Sequence, residues 1–185
     1  MNLRGRQLSK FRGNHSVMIT HKPLVVFSHG KETGPNGRKI QQLRTIAEAC
    51  GAQTLSIDYT STMNPDERVV ILLETELPVH SGLILVGSSM GGYVSTVASQ
   101  TLKPDGLLLM APAFGLNDYS SPYPPPLAAH VVAVHGWQDE VVPVEHAIHW
   151  ARLELAKLLL VDDDHSLHRE LPVVGRELQV MLAKL

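Results

Sequence analysis

One glycine- and serine-rich hexapeptide restricts the fold of this chain more than any other feature: Gly87-Ser88-Ser89-Met90-Gly91-Gly92. The apolar run 82–86 precedes it, and the helix-compatible run 93–99 follows it. A G-x-S-x-G pattern between a strand and a helix is typical of a sharp turn that exposes its central serine. Glycines flank that serine because side chains would collide in so tight a turn. The pattern therefore predicts that Ser89 is raised above the end of a sheet, next to a helix N-terminus.

Short apolar runs alternate with segments of helical spacing along the rest of the chain. Buried strands are predicted at 24–28, 53–58, 83–86, 106–110, 131–134 and 157–161. Helices are predicted over 38–49, from about 65 with an apolar stripe of Val69, Val70, Leu72, Leu73 and Leu77, after the serine turn, from about Pro143, and at the C-terminus with a break near Pro172. Segment 111–126 contains five prolines and is predicted to be a long loop. This alternation predicts a three-layer α/β/α sandwich around a mostly parallel sheet of about six strands.

Length and composition favour a single domain over residues 17–185, in which 17–20 forms a short strand or ends the preceding segment. Residues 1–16 carry four basic and no acidic residues, which predicts a basic N-terminal arm. The net charge of −2 gives no general attraction to nucleic acid or to an anionic membrane. No apolar run is long enough to span a membrane, and no secretory signal is recognisable. With a single cysteine, Cys50, which we expect to be a buried structural thiol, these features predict a cytoplasmic protein.

Polar residues follow three other predicted strands, at the edge where the carboxyl ends of parallel strands meet. His29-Gly30-Lys31 follows the first strand, Asp139 the fifth, and Asp164-His165 the sixth. A serine hydroxyl is a poor nucleophile without a neighbouring base, and His165 lies in a loop that can reach it. His168 is the alternative base and Glu140 the alternative acid.

Four motifs together resemble those of the α/β-hydrolase superfamily, in a small branch without an inserted cap domain: Ser28-His29-Gly30-Lys31, Gly87-Ser88-Ser89-Met90-Gly91, Gly136-Trp137-Gln138-Asp139-Glu140-Val141-Val142-Pro143 and Asp164-His165. The resemblance covers about residues 17–185, and the order Ser, Asp, His is the order of that family. It implies that Ser89 is the nucleophile, His165 the base and Asp139 the acid that orients it. It also implies an oxyanion hole formed by the backbone N–H groups of Lys31 and Met90, with His29 shaping the loop.

The resemblance further implies an acyl-enzyme mechanism on a small carboxylic ester or thioester. We expect His29, Phe114, Tyr119 and Trp137 to line the substrate pocket, with Tyr123 also available. No nucleotide cofactor is expected, because no strand is followed by G-x-G-x-x-G and the Gly34–Lys39 stretch does not match a phosphate-binding loop. No metal is expected either, because His146 and His149 have no accompanying ligand cluster.

Two other interpretations remain open at this stage. The chain could be a hydrolase-fold protein that mainly binds other proteins and keeps a vestigial site, or it could be an amidase or peptidase. Lys31 and Arg38 could favour an anionic substrate. The sequence does not distinguish a monomer from a homodimer, and it does not give the acyl length or the leaving group.

Overall fold

The computed structural model describes residues 21–185, so the predicted basic arm (1–16) and the possible strand at 17–20 lie outside the described residues. Six parallel strands form one sheet in the order β2-β1-β3-β4-β5-β6. The strands are β1 (Leu24–Ser28), β2 (Gln53–Ile57), β3 (Leu83–Ser88), β4 (Gly106–Met110), β5 (His130–Gly136) and β6 (Lys157–Val161). The helices are α1 (Arg38–Ala49), α2 (Pro65–Glu74), α3 (Met90–Leu102), α4 (Val144–Glu154) and α5 (Leu171–Leu182).

Alternate residues of the central strands pack into two separate apolar layers. Successive strand side chains point to opposite faces of a sheet, so Val25 and Phe27 pack with α1 and α5, whereas Leu24 and Val26 face the other way. That second layer contains the buried faces of α2, α3 and α4. The architecture confirms the predicted three-layer sandwich with a parallel six-stranded sheet, and the described residues contain no inserted cap domain.

The strand order opens a crevice at the carboxyl ends of β1 and β3. These two strands are neighbours in the sheet, with Ser28 beside Gly87. The chain leaves β1 toward β2 on one side, and leaves β3 toward β4 on the other. Ligands of open parallel sheets bind at such a switch point, because the two connections diverge there.

Helix α2 differs from the prediction in the face that it buries. Asn64 caps it by accepting hydrogen bonds from the N–H groups of Asp66 and Glu67, as its cap-and-proline sequence indicates. However, Val70 and Leu73 are exposed. The buried side chains are Arg68, Val69 and Leu72, so an arginine replaces part of the expected apolar stripe.

Two further expectations are wrong. Pro172 does not break the last helix but lies in its first turn, where its missing N–H costs no hydrogen bond. Cys50 is exposed, because it caps the solvent-facing end of α1. In residues 21–185, none of the helices is both long and apolar enough to cross a membrane.

Replacing Gly91 by alanine should destabilise the fold. A Cβ there would lie 2.1 Å from the carbonyl oxygen of Ser28, so α3 would have to move away from β1. Overpacking of this kind costs roughly 1–3 kcal/mol, which urea unfolding followed by circular dichroism measures. Gly34→Ala is the matched control, because its nearest neighbour atom would be 3.9 Å away. Equal unfolding midpoints for the two variants would contradict the close contact.

Candidate active site

Ser89 lies in a strained turn between β3 and α3. Its φ of 54° and ψ of −121° belong to a region that L-residues rarely adopt. Two backbone hydrogen bonds hold the turn against the end of β4. Ser89 N–H donates to the Met110 carbonyl at 2.9 Å, and the Ser89 carbonyl accepts from the N–H of Ala113 at 3.0 Å. A Cβ on Gly87 would lie 2.3 Å from the Gly91 carbonyl oxygen, so glycine is required at that position. The end of β4 therefore fixes the orientation of Ser89.

A chain of two hydrogen bonds joins Ser89 to a buried carboxylate through one imidazole. Nε2 of His165 lies 3.0 Å from Oγ of Ser89, and its Nδ1 lies 2.7 Å from Oδ2 of Asp139. A carboxylate only accepts hydrogen bonds, so Nδ1 carries the proton and Nε2 is left to accept from the serine hydroxyl. This is the tautomer that a general base requires. The three predicted residues are thus brought together, whereas Glu140 and His168 line the cavity outside this chain.

Asp139 accepts four hydrogen bonds, which use both of its oxygens. Oδ1 receives the backbone N–H groups of Val141 and Val142, at 2.9 and 2.8 Å. Oδ2 receives His165 and a second histidine, His135, whose Nε2 lies 3.1 Å away. Burial alone would raise the pKa of Asp139, but the hydrogen bonds from His135, His165 and Val142 outweigh it and hold the pKa well below its usual range. Asp139 is therefore a stable anion in this site.

His135, near the end of β5, supports the loop that carries Asp139. Its Nε2 also lies 2.9 Å from the Val142 carbonyl. Both neighbours of Nε2 are acceptors, so this nitrogen carries the proton and donates to them. Nδ1 is buried and has no hydrogen-bond partner, so it is the unprotonated nitrogen. Through Nε2, His135 therefore ties the carboxylate of Asp139 to the backbone of the loop that carries it.

The loop that carries His165 is built around a second buried carboxylate, Asp163. Its oxygens accept the backbone N–H groups of Asp164, Arg169 and Glu170 at 2.8–2.9 Å. The backbone carbonyl of Asp163 accepts a hydrogen bond from the N–H of Gln138, which joins this loop to the loop that carries Asp139. Burial would raise the pKa of Asp163, but the backbone hydrogen bonds from Glu170, Asp164 and Arg169 lower it overall. Asp163 thereby holds the loop that carries His165 beside the loop that carries Asp139.

Asp163→Asn should destabilise the protein at neutral pH and change how its stability depends on acid. An amide would place a donor against backbone N–H donors, a mismatch that costs roughly 1–3 kcal/mol. The native pKa of Asp163 is depressed, so its contribution is complete above the ordinary carboxyl value of 3.8 and is lost as pH falls through the lower native value.

Urea unfolding at pH 7 and at several values below 4 should therefore show a stability gap that narrows with acid. Asp162→Asn is the control, because Asp162 is exposed and contacts the exposed side chain of Gln138. A gap between wild type and Asp163→Asn that is constant with pH would argue that the charge of Asp163 contributes nothing.

Two backbone N–H groups beside Ser89 are available to bind an oxyanion. In residues 21–185, neither Met90 N–H nor Lys31 N–H donates an intramolecular hydrogen bond. Met90 begins α3, where the helix dipole favours negative charge. Gly30, which precedes Lys31, lies against Ser89: a Cβ built on it would be 3.5 Å from Cβ of Ser89. The two candidate donors thus lie on loops that meet at Ser89.

The loop that carries Lys31 is held by two buried side chains, of which sequence reasoning identified only one. Nδ1 of His29 donates to the Gly30 carbonyl at 2.7 Å, because its Nε2 accepts the N–H of Tyr59. Arg68, a residue that the sequence patterns did not single out, donates to the same carbonyl at 3.1 Å. The one sequence feature that indicated the burial of Arg68 was its spacing, four residues before the buried Leu72 on α2.

A cavity of about 1110 Å³ opens above Ser89 at the carboxyl edge of the sheet. Of the predicted pocket residues, His29 and Tyr119 line it. Phe114 and Trp137 do not. Phe114 is fully buried against Trp150, and Trp137 points to solvent with 55% of its surface exposed. Tyr123 packs instead on His146 and His149.

The cavity carries charges of both signs. Lys31, Arg38 and Lys39 line it, and so do four carboxylates, Glu32, Asp118, Glu140 and Asp164. Burial lowers the pKa of Lys39, although nearby carboxylates, Asp139 first, oppose the shift. Four carboxylates face three cations, so the charges of the lining do not favour an anionic substrate.

The described residues contain no cluster of three or more possible metal ligands. His146 faces the Phe114 carbonyl through Nδ1, at 2.9 Å, and His149 packs against Tyr123. These contacts give the two histidines a structural role at the end of the proline-rich loop.

Comparison with solved structures finds related folds. A candidate hydrolase of the alpha/beta superfamily from Xanthomonas campestris pv. campestris is 30% identical, with a TM-score of 0.74 over 89% of this chain and 99% of that chain. A lidless α/β serine hydrolase from Xanthomonas campestris is 21% identical, with a TM-score of 0.70 over 91% and 84%. Mouse alpha/beta hydrolase domain-containing protein 10 is 17% identical, with a TM-score of 0.73 over 90% and 92%. Neither a scan of protein-family models nor a search of curated proteins finds a match.

Proposed function

This chain belongs to the α/β-hydrolase superfamily, and we propose that it is a serine hydrolase that cleaves small carboxylic esters or thioesters through an acyl-enzyme on Ser89. The observation that carries the proposal is the continuous hydrogen-bond chain from Ser89 through His165 to Asp139, at 3.0 and 2.7 Å, inside a cavity. A protein that only binds partners has no need of a correctly protonated imidazole between a strained serine and a buried carboxylate.

The acylation step transfers one proton and exchanges one acyl bond. Nε2 of His165 takes the hydroxyl proton while Oγ of Ser89 attacks the carbonyl carbon of the substrate. The negative charge that develops on the carbonyl oxygen is stabilised by the N–H groups of Lys31 and Met90. Asp139 stabilises the imidazolium, which then gives its proton to the leaving alcohol or thiol. The carbonyl re-forms, and Ser89 carries the acyl group.

Deacylation repeats the same steps with water as the nucleophile. The imidazole of His165 has 22% of its surface exposed, so water from the cavity can reach Nε2 once the leaving group has departed. His165 takes a proton from that water, and hydroxide attacks the acyl carbon. The proton returns to Ser89, and a carboxylic acid is released.

The absence of a cap over the cavity in residues 21–185 favours a small acyl group. No inserted segment covers Ser89 in the described residues, so little of the protein is available to enclose a long acyl group. Tyr119, Leu116 and Val142 offer apolar surface for an acyl group.

Initial rates on a matched series would separate the reaction classes: one short acyl group linked to p-nitrophenol, to a thiol and to p-nitroaniline. Preference for the anilide would favour the amidase interpretation.

Replacing Ser89 or His165 by alanine should remove nearly all turnover of a p-nitrophenyl ester, by about 10⁴-fold or more for each. The double variant should lose little more than either single variant, because the two side chains act as a unit. Labelling by a fluorophosphonate should disappear in Ser89→Ala and persist in Ser88→Ala, the matched control one residue away. A folded wild-type protein that neither labels nor hydrolyses the ester series would instead support the binding-module interpretation.

Asp139→Asn should leave the protein folded but lower kcat by about 10⁴-fold, the size of the effect in other serine hydrolases. The side-chain amide would donate toward Nδ1 of His165, and the imidazole would then carry its proton on Nε2 and could not accept from Ser89. Glu140→Gln is the control, and its kcat should stay within about threefold of wild type because Glu140 lies outside the hydrogen-bond chain. The reverse pattern in the measured kcat values would assign the acid to Glu140.

A further inference from the structure

The side chain of Arg68 is a fully buried cation without a buried anion beside it. Its exposed fraction is 0%, and in residues 21–185 it forms no ion pair with a carboxylate. Its donors reach main-chain carbonyls instead: Nε reaches Thr62 at 2.9 Å, and Nη2 reaches Lys31 at 3.3 Å. The guanidinium also lies 5.5 Å from the ring centroid of Tyr59, a distance suited to a cation–π contact.

Packing alone does not account for an arginine at this position. Burying a charge is costly, and buried ionic groups can often be replaced by apolar side chains of similar volume without loss of stability. The adjacent buried residues of α2, Val69 and Leu72, are apolar. A methionine or leucine at 68 would fit the same helix face chemically, so the position of the guanidinium needs another explanation.

The explanation lies in the peptide group that Arg68 holds. The Gly30 carbonyl oxygen accepts two hydrogen bonds, from Nη1 of Arg68 at 3.1 Å and from Nδ1 of His29 at 2.7 Å. The carbonyl and the following N–H belong to one planar trans unit and point in opposite directions. Fixing the Gly30 oxygen therefore fixes the direction of the Lys31 N–H, a candidate oxyanion donor.

Arg68 also acts on this peptide group electrostatically. A cation at the carbonyl oxygen polarises the peptide, which makes its N–H a stronger donor. Because the guanidinium is buried, its field is screened less than that of a surface charge. Negative charge that develops on the substrate oxygen would form on the opposite side of the same peptide.

We propose that Arg68 is a positioning residue of the oxyanion hole: it fixes and polarises the Gly30–Lys31 peptide so that the Lys31 N–H is presented to the developing oxyanion. This inference rests on the proposed hydrolase function. It assigns a role in the reaction to a side chain on α2, which contributes none of the predicted site residues.

The test compares Arg68→Met, Arg68→Lys and the matched surface control Arg44→Met, with kcat and KM measured on a p-nitrophenyl ester. In Arg68→Met, kcat should fall about 10- to 100-fold with KM changed less than about threefold, because the oxyanion contact strengthens only in the transition state. Arg68→Lys keeps the charge but loses the planar fork, and should recover part of that loss. Arg44, which contacts Glu48 and Thr54 at the surface, should be replaceable without change in kcat.

A boronic acid that forms a tetrahedral adduct with Ser89 gives a second readout that a purely structural role would not change. Its inhibition constant should rise in proportion to the loss of kcat/KM in the Arg68 variants. Urea unfolding identifies the variants that are folded at the assay temperature. If Arg68→Met does not fold, Arg68→Lys carries the test.

Two outcomes overturn the proposal separately from the hydrolase function. One is a folded Arg68 variant with wild-type kcat and wild-type affinity for the boronic acid. The other is a variant in which KM rises and kcat stays constant. If the wild-type protein neither hydrolyses the esters nor reacts with a fluorophosphonate, the hydrolase function fails, and the role of Arg68 fails with it.

Discussion

The close approach of two backbones, at the N-terminus of α3 and the end of β1, is the constraint on which the candidate site depends. At Gly91 the helix touches the Ser28 and His29 carbonyls so closely that a Cβ would lie 2.1 and 2.7 Å from them. This contact brings the turn that carries Ser89 against the loop that carries Lys31. Ser89 and the two candidate oxyanion donors can therefore share one small space only because glycine leaves room for two main chains to meet.

The loops that carry Asp139 and His165 are held differently, by carboxylates whose hydrogen-bond acceptors are fully used. Asp139 receives four donors, and Asp163 receives three backbone N–H groups, so neither carboxylate has freedom to rotate. Buried polar networks are stable only when their members are satisfied. The exception, Nδ1 of His135, is an acceptor without a donor, which costs less than a buried N–H without an acceptor. Loops that are irregular in sequence are thereby made rigid.

The strands and the serine turn could be predicted because each has a local signature, an apolar run or paired glycines. The grouping of Ser89, Asp139 and His165 was implied by the resemblance of four motifs to one family. The burial of Arg68 could not be predicted, because three of its carbonyl partners belong to a loop 37–39 residues earlier in the chain. Every residue has a backbone carbonyl, so the sequence does not indicate which of them will bind an arginine. The pocket positions of Phe114 and Trp137 were wrong for a related reason. An aromatic residue in a loop can face the core, the cavity or solvent, and tertiary packing decides among them.

The buried charges of Arg68 and Asp139 match a charge-separated state of the candidate site. Beside the Gly30–Lys31 peptide lies a buried cation, Arg68, without a buried anion. Beside His165 lies a buried anion, Asp139, which contacts two imidazoles. Proton transfer and attack by Ser89 would create the missing partners: an oxyanion on the side of Arg68, and an imidazolium at His165 against Asp139. Each of the two buried charges would then be stabilised by an opposite charge, and neither side chain would have to move. In the proposed mechanism, both buried charges are stabilised more in the transition state than with bound substrate, which is the condition for raising kcat.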